Sequence, residues 1–215
     1  AGKHEVARDL LRKLVVKKPW DLAARFAYGS ALWLSGDGDG AEKQLVQVIK
    51  RETDHLPARR VLALIYASRG DTSRLLGELE SIAQRAPSDL DVKADLATAY
   101  GSVGKWDRAS TTLEQIAAVR PTDLPLLMRI GDARRYHGDL DGALQWYQRS
   151  ARLAPESSMP GFVIAQAQVD AGRYADAVRS YTSLQRSPAD VGVAEHDLGA
   201  FALLRIKRTA LQQVG

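Results

Sequence analysis

The residues most able to do chemistry are few. Asp37 and Asp39 alternate with Gly38 and Gly40, a spacing that begins a calcium loop. Such a loop needs a further oxygen ligand two residues after Asp39 and a Glu at its end, and Ala41 stands at the first of these places. The stretch Asp139, Leu140, Asp141, Gly142 repeats the pattern. Both strings are expected to be turns, where Asp and Gly are favoured. Glu195, His196 and Asp197 bring an acid, a base and a second acid together, but adjacent helical residues point to different faces. His4, His55, His137 and His196 are scattered, with no paired metal-ligand spacing. The chain has no Cys, which removes thiol catalysis and zinc–thiolate sites. No phosphate-cradling glycine loop and no nucleophile elbow is present, so the reading is that of a protein that is not an enzyme and carries no cofactor.

What positions these residues is a repeat. Six hexads start at Gly2, Gly36, Gly70, Gly104, Gly138 and Gly172, each 34 residues after the last. Most end in Ala: Ala7, Ala41, Ala109, Ala143 and Ala177, with Leu75 the departure. A small column runs Gly29, Ala63, Ala97, Gly131, Ala165 and Gly199, each preceded by an apolar residue. A bulky column runs Leu11, Leu45, Leu79, Leu113, Tyr147 and Tyr181. Pro19, Pro87, Pro121 and Pro155 share the period. Each column has a physical purpose. Gly ends a helix, small residues let two helices approach, bulky ones fill the space between them, and Pro marks a boundary. Apolar spacing within each half predicts pairs of helices of about 13 residues.

These columns resemble those of the tetratricopeptide repeat family over essentially the whole chain. The resemblance implies an all-α, right-handed superhelical solenoid of antiparallel helix pairs. By phase, residues 1–20 are the second helix of a truncated repeat, 22–189 are five complete repeats, and 190–215 are a partial final repeat, all in one solenoid over 1–215. The apolar Leu10, Leu11, Leu14, Val15 and Val16 read as an internal repeat, so a segment of a longer array is expected. Ser150 is polar in a column otherwise filled by Leu14, Val48, Ile82, Ile116 and Leu184, and its repeat is expected to pack differently.

In the family the first helix of each pair lines a concave groove. Carried over by phase, the groove holds Phe26 and Trp33 beside Leu34, then Arg60, then Asp95, then Arg129, Asp132, Arg135 and Tyr136, then Phe162 and Gln166. Asp170 lies on the same face, while Trp106 and Trp146 fall on second helices, where packing is the default. Two areas stand out: the apolar patch of Phe26, Trp33 and Leu34, and the aromatic–Arg cluster of Arg129, Asp132, Arg135, Tyr136 and Phe162, with packing against a neighbouring helix the competing reading for Phe26, Trp33 and Met128. Aromatic residues and Arg carry much of the binding energy at protein interfaces. The chain contains no Asn. The carboxylate clamp of chaperone-tail binders and the Asn ladder of the O-linked GlcNAc transferase array therefore both lack essential residues.

Composition sets further bounds. With 45% hydrophobic and 26% charged residues the chain is built to fold. No apolar stretch approaches the ~20 residues of a membrane helix, so this segment is not expected to insert into a membrane. The net charge of +4 is spread through interleaved acids and bases. RNA or other nucleic acid is disfavoured as a partner, because the groove mixes Asp with Arg. The expected function is a non-catalytic scaffold that binds a protein or peptide in the groove. The alternative is an array in a bacterial exopolysaccharide-export or secretion apparatus, recruiting a periplasmic enzyme or guiding polymer. The sequence assigns no compartment and is compatible with both bacterial periplasm and cytoplasm.

Overall fold

Helix pairs form here because a turn of two or three residues both ends one helix and begins the next. Gly36, Gly70, Gly104, Gly138 and Gly172 adopt φ of 85°, 68°, 72°, 93° and 69°, a left-handed conformation disfavoured for residues with a Cβ. The following amide then reaches back to close the helix. Asp37 N–H donates to the Leu32 carbonyl, Asp71 to Tyr66 and Asp139 to Arg134, each at 2.9 Å. The same three residues turn their carboxylates forward. Asp37 accepts from the Gly40 amide at 2.8 Å, Asp71 from Arg74 at 3.0 Å and Asp139 from Gly142 at 2.9 Å, which caps the next helix. The carboxylates of Asp37 and Asp139 are therefore helix caps. First helices are capped in the same way by Asp21, Asp89 and Asp123, and His55 serves through Nδ1, accepting from Ala58 N–H at 3.1 Å.

The computed structural model describes residues 2–185, and among these the chain is all-α with no strand. In order come α1 (Gly2–Lys17), α2 (Leu22–Leu34), α3 (Gly38–Arg51), α4 (Leu56–Ser68), α5 (Thr72–Arg85) and α6 (Leu90–Ser102). These are followed by α7 (Trp106–Ala117), α8 (Leu124–His137), α9 (Leu140–Leu153), α10 (Ser158–Asp170) and α11 (Tyr174–Gln185). Even-numbered helices are the first helices of repeats, and odd-numbered ones are the second. No described helix is long and apolar enough to cross a membrane. The expected partial repeat at 190–215, including Glu195, His196 and Asp197, lies outside the described residues.

The chain divides into two compact units, Ala1–Val103 and Gly104–Gly215. In the first, α2 packs on α3, α4 on α3 and α5, and α6 on α5. Its core gathers Leu32, Leu45, Val48, Leu62, Ile65 and Tyr66. The helix α1 packs on α2; Val15 is buried, while Val6, Leu10 and Val16 are exposed. In the second unit α8 packs on α7 and α9, and α10 on α9 and α11. Its cores gather around Tyr147 with Ala143 and Leu144, and around Tyr181 with Ala165 and Ala177.

The small and bulky columns face each other. A Cβ placed on Gly29 would lie 2.9 Å from Leu45 Cγ, and one on Gly131 would lie 2.3 Å from Tyr147 Cε1. The hexad alanines Ala41, Ala109, Ala143 and Ala177 are at most 2% exposed, whereas Leu75 in the same column is only half buried. Ser150, the polar departure, is 1% exposed.

Ion pairs run over this packing. Glu42 accepts from both Arg69 and Arg74, and Arg134 bridges Glu114 at 2.6 Å and Asp139 at 2.9 Å. These pairs are half buried and still in reach of solvent, and solvent-screened pairs are worth about 0–1 kcal/mol each, so apolar burial governs stability.

Two outcomes are expected. Gly131→Ala should lower stability by about 1–3 kcal/mol in urea unfolding, because crowding against Tyr147 outweighs a helix-propensity gain of about 1 kcal/mol. Asp89 provides a pH test. Its carboxyl is held below the usual carboxylate range, first by the Val92 amide and then by Arg60. A lowered folded-state value stabilises above the unfolded value and is lost as pH falls through the folded one. The stability gap between wild type and Asp89→Ala should thus be full at neutral pH and narrow in acid.

Candidate functional site

The first helices present different side chains in the two units. In the first unit, Phe26 is half buried, with its ring centroid 4.8 Å from that of His55, the cap of α4. Trp33 is half buried as well and packs on the core. Of the expected apolar patch, Leu34 remains well exposed, at 75%.

One period later the same columns read Arg60 and Ala67, so the indole has become a methyl group. A cleft of about 570 Å³ opens there between α4, α5 and α6. Leu75, Leu79, Ile82 and Val92 are among its lining residues, together with Arg60 and Asp95. Arg60 is paired with Asp89. The sequence reading found the two charged residues but missed the cleft. The signal was available as the drop from Trp33 to Ala67 within one column.

In the second unit, α8 and α10 carry a polar network. The Tyr147 phenol donates to Asp132 Oδ1 at 2.7 Å. Arg135 Nη1 donates to Asp170 Oδ2 at 3.0 Å, and Gln166 Nε2 donates to Asp170 Oδ1 at 3.1 Å. Asp170 is thus the shared acceptor, one helical turn beyond Gln166. Burial, reinforced by the Asp132 bond, pushes the Tyr147 phenol far above its ordinary value, so it remains a donor.

An aromatic ledge adjoins this network. Tyr136 stacks on Trp106 with centroids 4.7 Å apart and planes at 27°, and the Arg135 guanidinium lies 5.3 Å from the Tyr136 centroid. Tyr136 nevertheless stays 59% exposed. Phe162 turns edge-on to Tyr181 at 5.8 Å. Arg129 stands at the surface of α8. The structure therefore joins Arg135, Tyr136, Asp132 and Gln166 into one neighbourhood, to which Trp106 and Asp170 belong. The default packing role of a second-helix Trp concealed Trp106, which is the support of the ledge.

A tetratricopeptide repeat family model matches residues 1–57 and 94–158, more than half of the chain. Among solved structures the chain is similar to YrrB, a TPR protein with an unusual peptide-binding site. That likeness has 13% identity and a TM-score of 0.64, covering 91% of this chain and 98% of that one. It is also similar to MamA AMB-1, with 23% identity and a TM-score of 0.60, covering 80% of this chain and 96% of that one. MamA from Desulfovibrio magneticus RS-1 follows at 15% identity and a TM-score of 0.56, covering 83% and 93%. Identities this low show a shared fold alone. Comparison with curated proteins returned no significant match.

The tyrosine column provides an internal control. Tyr147 has a bonded phenol, whereas the buried Tyr181 hydroxyl has no hydrogen-bond partner among the described residues. Tyr147→Phe should cost about 1–2 kcal/mol in urea unfolding, while Tyr181→Phe should be neutral or stabilising. Equal losses in both would show that the Asp132 bond contributes nothing specific.

Proposed function

Because the chain belongs to the tetratricopeptide repeat family, we propose that it is a non-catalytic scaffold that docks a protein or peptide segment on its first helices. Proteins of this fold are in general interaction scaffolds, and the peptide-binding site for which YrrB is described supports that class of ligand. The observation that carries the reading is Tyr136. A large aromatic ring is held at the surface by stacking on Trp106 and by the Arg135 guanidinium. A ring fixed in advance loses little conformational freedom on binding, which is the condition for an interface hot spot.

The other residues divide by task. Asp170 fixes Arg135 and Gln166 from one side. Asp132 takes the Tyr147 phenol. Their role is to hold the surface beside the ring. Phe26 and Trp33 shape the first unit from within its packing. The polymer-export alternative has no matched relative behind it.

Affinity capture with wild type and Tyr136→Ala, each checked for unchanged helicity, tests the proposal. Loss of a hot-spot contact of about 2 kcal/mol weakens binding roughly 30-fold. One polypeptide retained by wild type and lost by the variant is the expected result. Identical capture by both would remove Tyr136 from the interface.

A further inference from the structure

The cleft of the first unit stands at column positions that are filled one repeat earlier. In the preceding repeat the equivalent positions are filled by the chain's own side chains. Phe26, Trp33 and Val61 pack on the core there. Moving 34 residues along, these become Arg60, Ala67 and Asp95, and about 570 Å³ is left open. That volume lies within the roughly 300–1,000 Å³ of pockets that take small ligands or side chains.

The lining decides what fits. Leu75, Leu79, Ile82 and Val92 make an apolar interior, with Leu75 standing where the other complete repeats place Ala. Two of the three lining hydroxyls, those of Thr98 and Ser102, are turned back on their own helix, and that of Thr72 reaches the Gly70 carbonyl at 3.4 Å. Thr98 donates to the Ala94 carbonyl at 2.9 Å, and Ser102 donates to that of Ala99 at 2.8 Å. A sugar needs polar groups aimed at it, and these are aimed elsewhere. The charged lining residues are one cation and one anion, Arg60 and Asp95, with Arg60 already engaged by Asp89. This balance is complementary to an uncharged group and gives no field to attract a polyanion.

We propose that the cleft between α4, α5 and α6 receives an aromatic side chain from an extended segment of a partner protein, which takes the place that Trp33 occupies one repeat earlier. The inference rests on the docking reading above and adds a second contact, in the other unit, with a defined chemistry. Aromatic anchors in apolar pockets are the contacts that most often dominate an interface.

The test uses the full chain with methyl-labelled Leu and Ile, titrated with N-acetyl-tryptophanamide and followed by NMR. Saturable shifts of the Leu75, Leu79 and Ile82 methyl signals are expected, with affinity near the millimolar range typical of one side chain. Ala67→Trp, which installs the side chain of the preceding repeat, should weaken binding at least tenfold. If that variant loses helicity, Arg60→Phe makes the same comparison from the other side of the cleft. Absence of shifts, undiminished shifts in a folded filled variant, or equal shifts with maltohexaose would each overturn the proposal. Tyr136→Ala separates the two readings. It should leave the titration unchanged, and a negative titration alongside Tyr136-dependent capture would remove the cleft and leave the scaffold intact.

Discussion

A left-handed residue at the middle of each complete repeat is the constraint from which the rest follows. At Gly36, Gly70, Gly104, Gly138 and Gly172 the backbone takes a conformation that a Cβ would disfavour. The chain can then fold back at once, closing one helix with a main-chain hydrogen bond and, at three of the turns, capping the next with the adjacent Asp. Because the turn is so short, the two helices must lie close together. Closeness in turn demands a small residue on one helix opposite a bulky one on the other. Gly131 beneath the Tyr147 ring is the tightest case.

The same constraint separates structural positions from free ones. Residues on the contact faces are fixed by size, as the buried Ala41, Ala109 and Ala143 show. Residues on the remaining face of each first helix vary more widely in size and charge, from Trp33 to Ala67 to Arg135 within a single column. A cleft, a stacked ring and a polar network can therefore stand in successive repeats without disturbing the packing beneath them.

Much of the fold was legible in the sequence, because size and conformational freedom are properties of residue type. The glycine period gave the turn positions, and the alanine and bulky columns gave the helix contacts. The candidate site was legible only in part. Phase placed Arg135, Tyr136 and Gln166 on one face, but could not reveal that Trp106, from a second helix, rises to support Tyr136. Nor does composition announce a vacancy. Ala67 carries no chemical signal of its own, and its meaning appears only beside Trp33. Phe26 and Trp33 show the reverse case, since side chains of interface type pack on the core when their neighbours leave room.

The compactness of the turns also bears on how the chain acquires its structure. The hairpins close between residues that are near neighbours in sequence, and Leu45 and Tyr147 each meet their small partners, Gly29 and Gly131, 16 positions away. Little loop-closure entropy opposes these encounters, so assembly can begin at any turn and spread to adjacent repeats. A fold of this kind needs no single nucleus, and damage to one turn leaves the others competent to start.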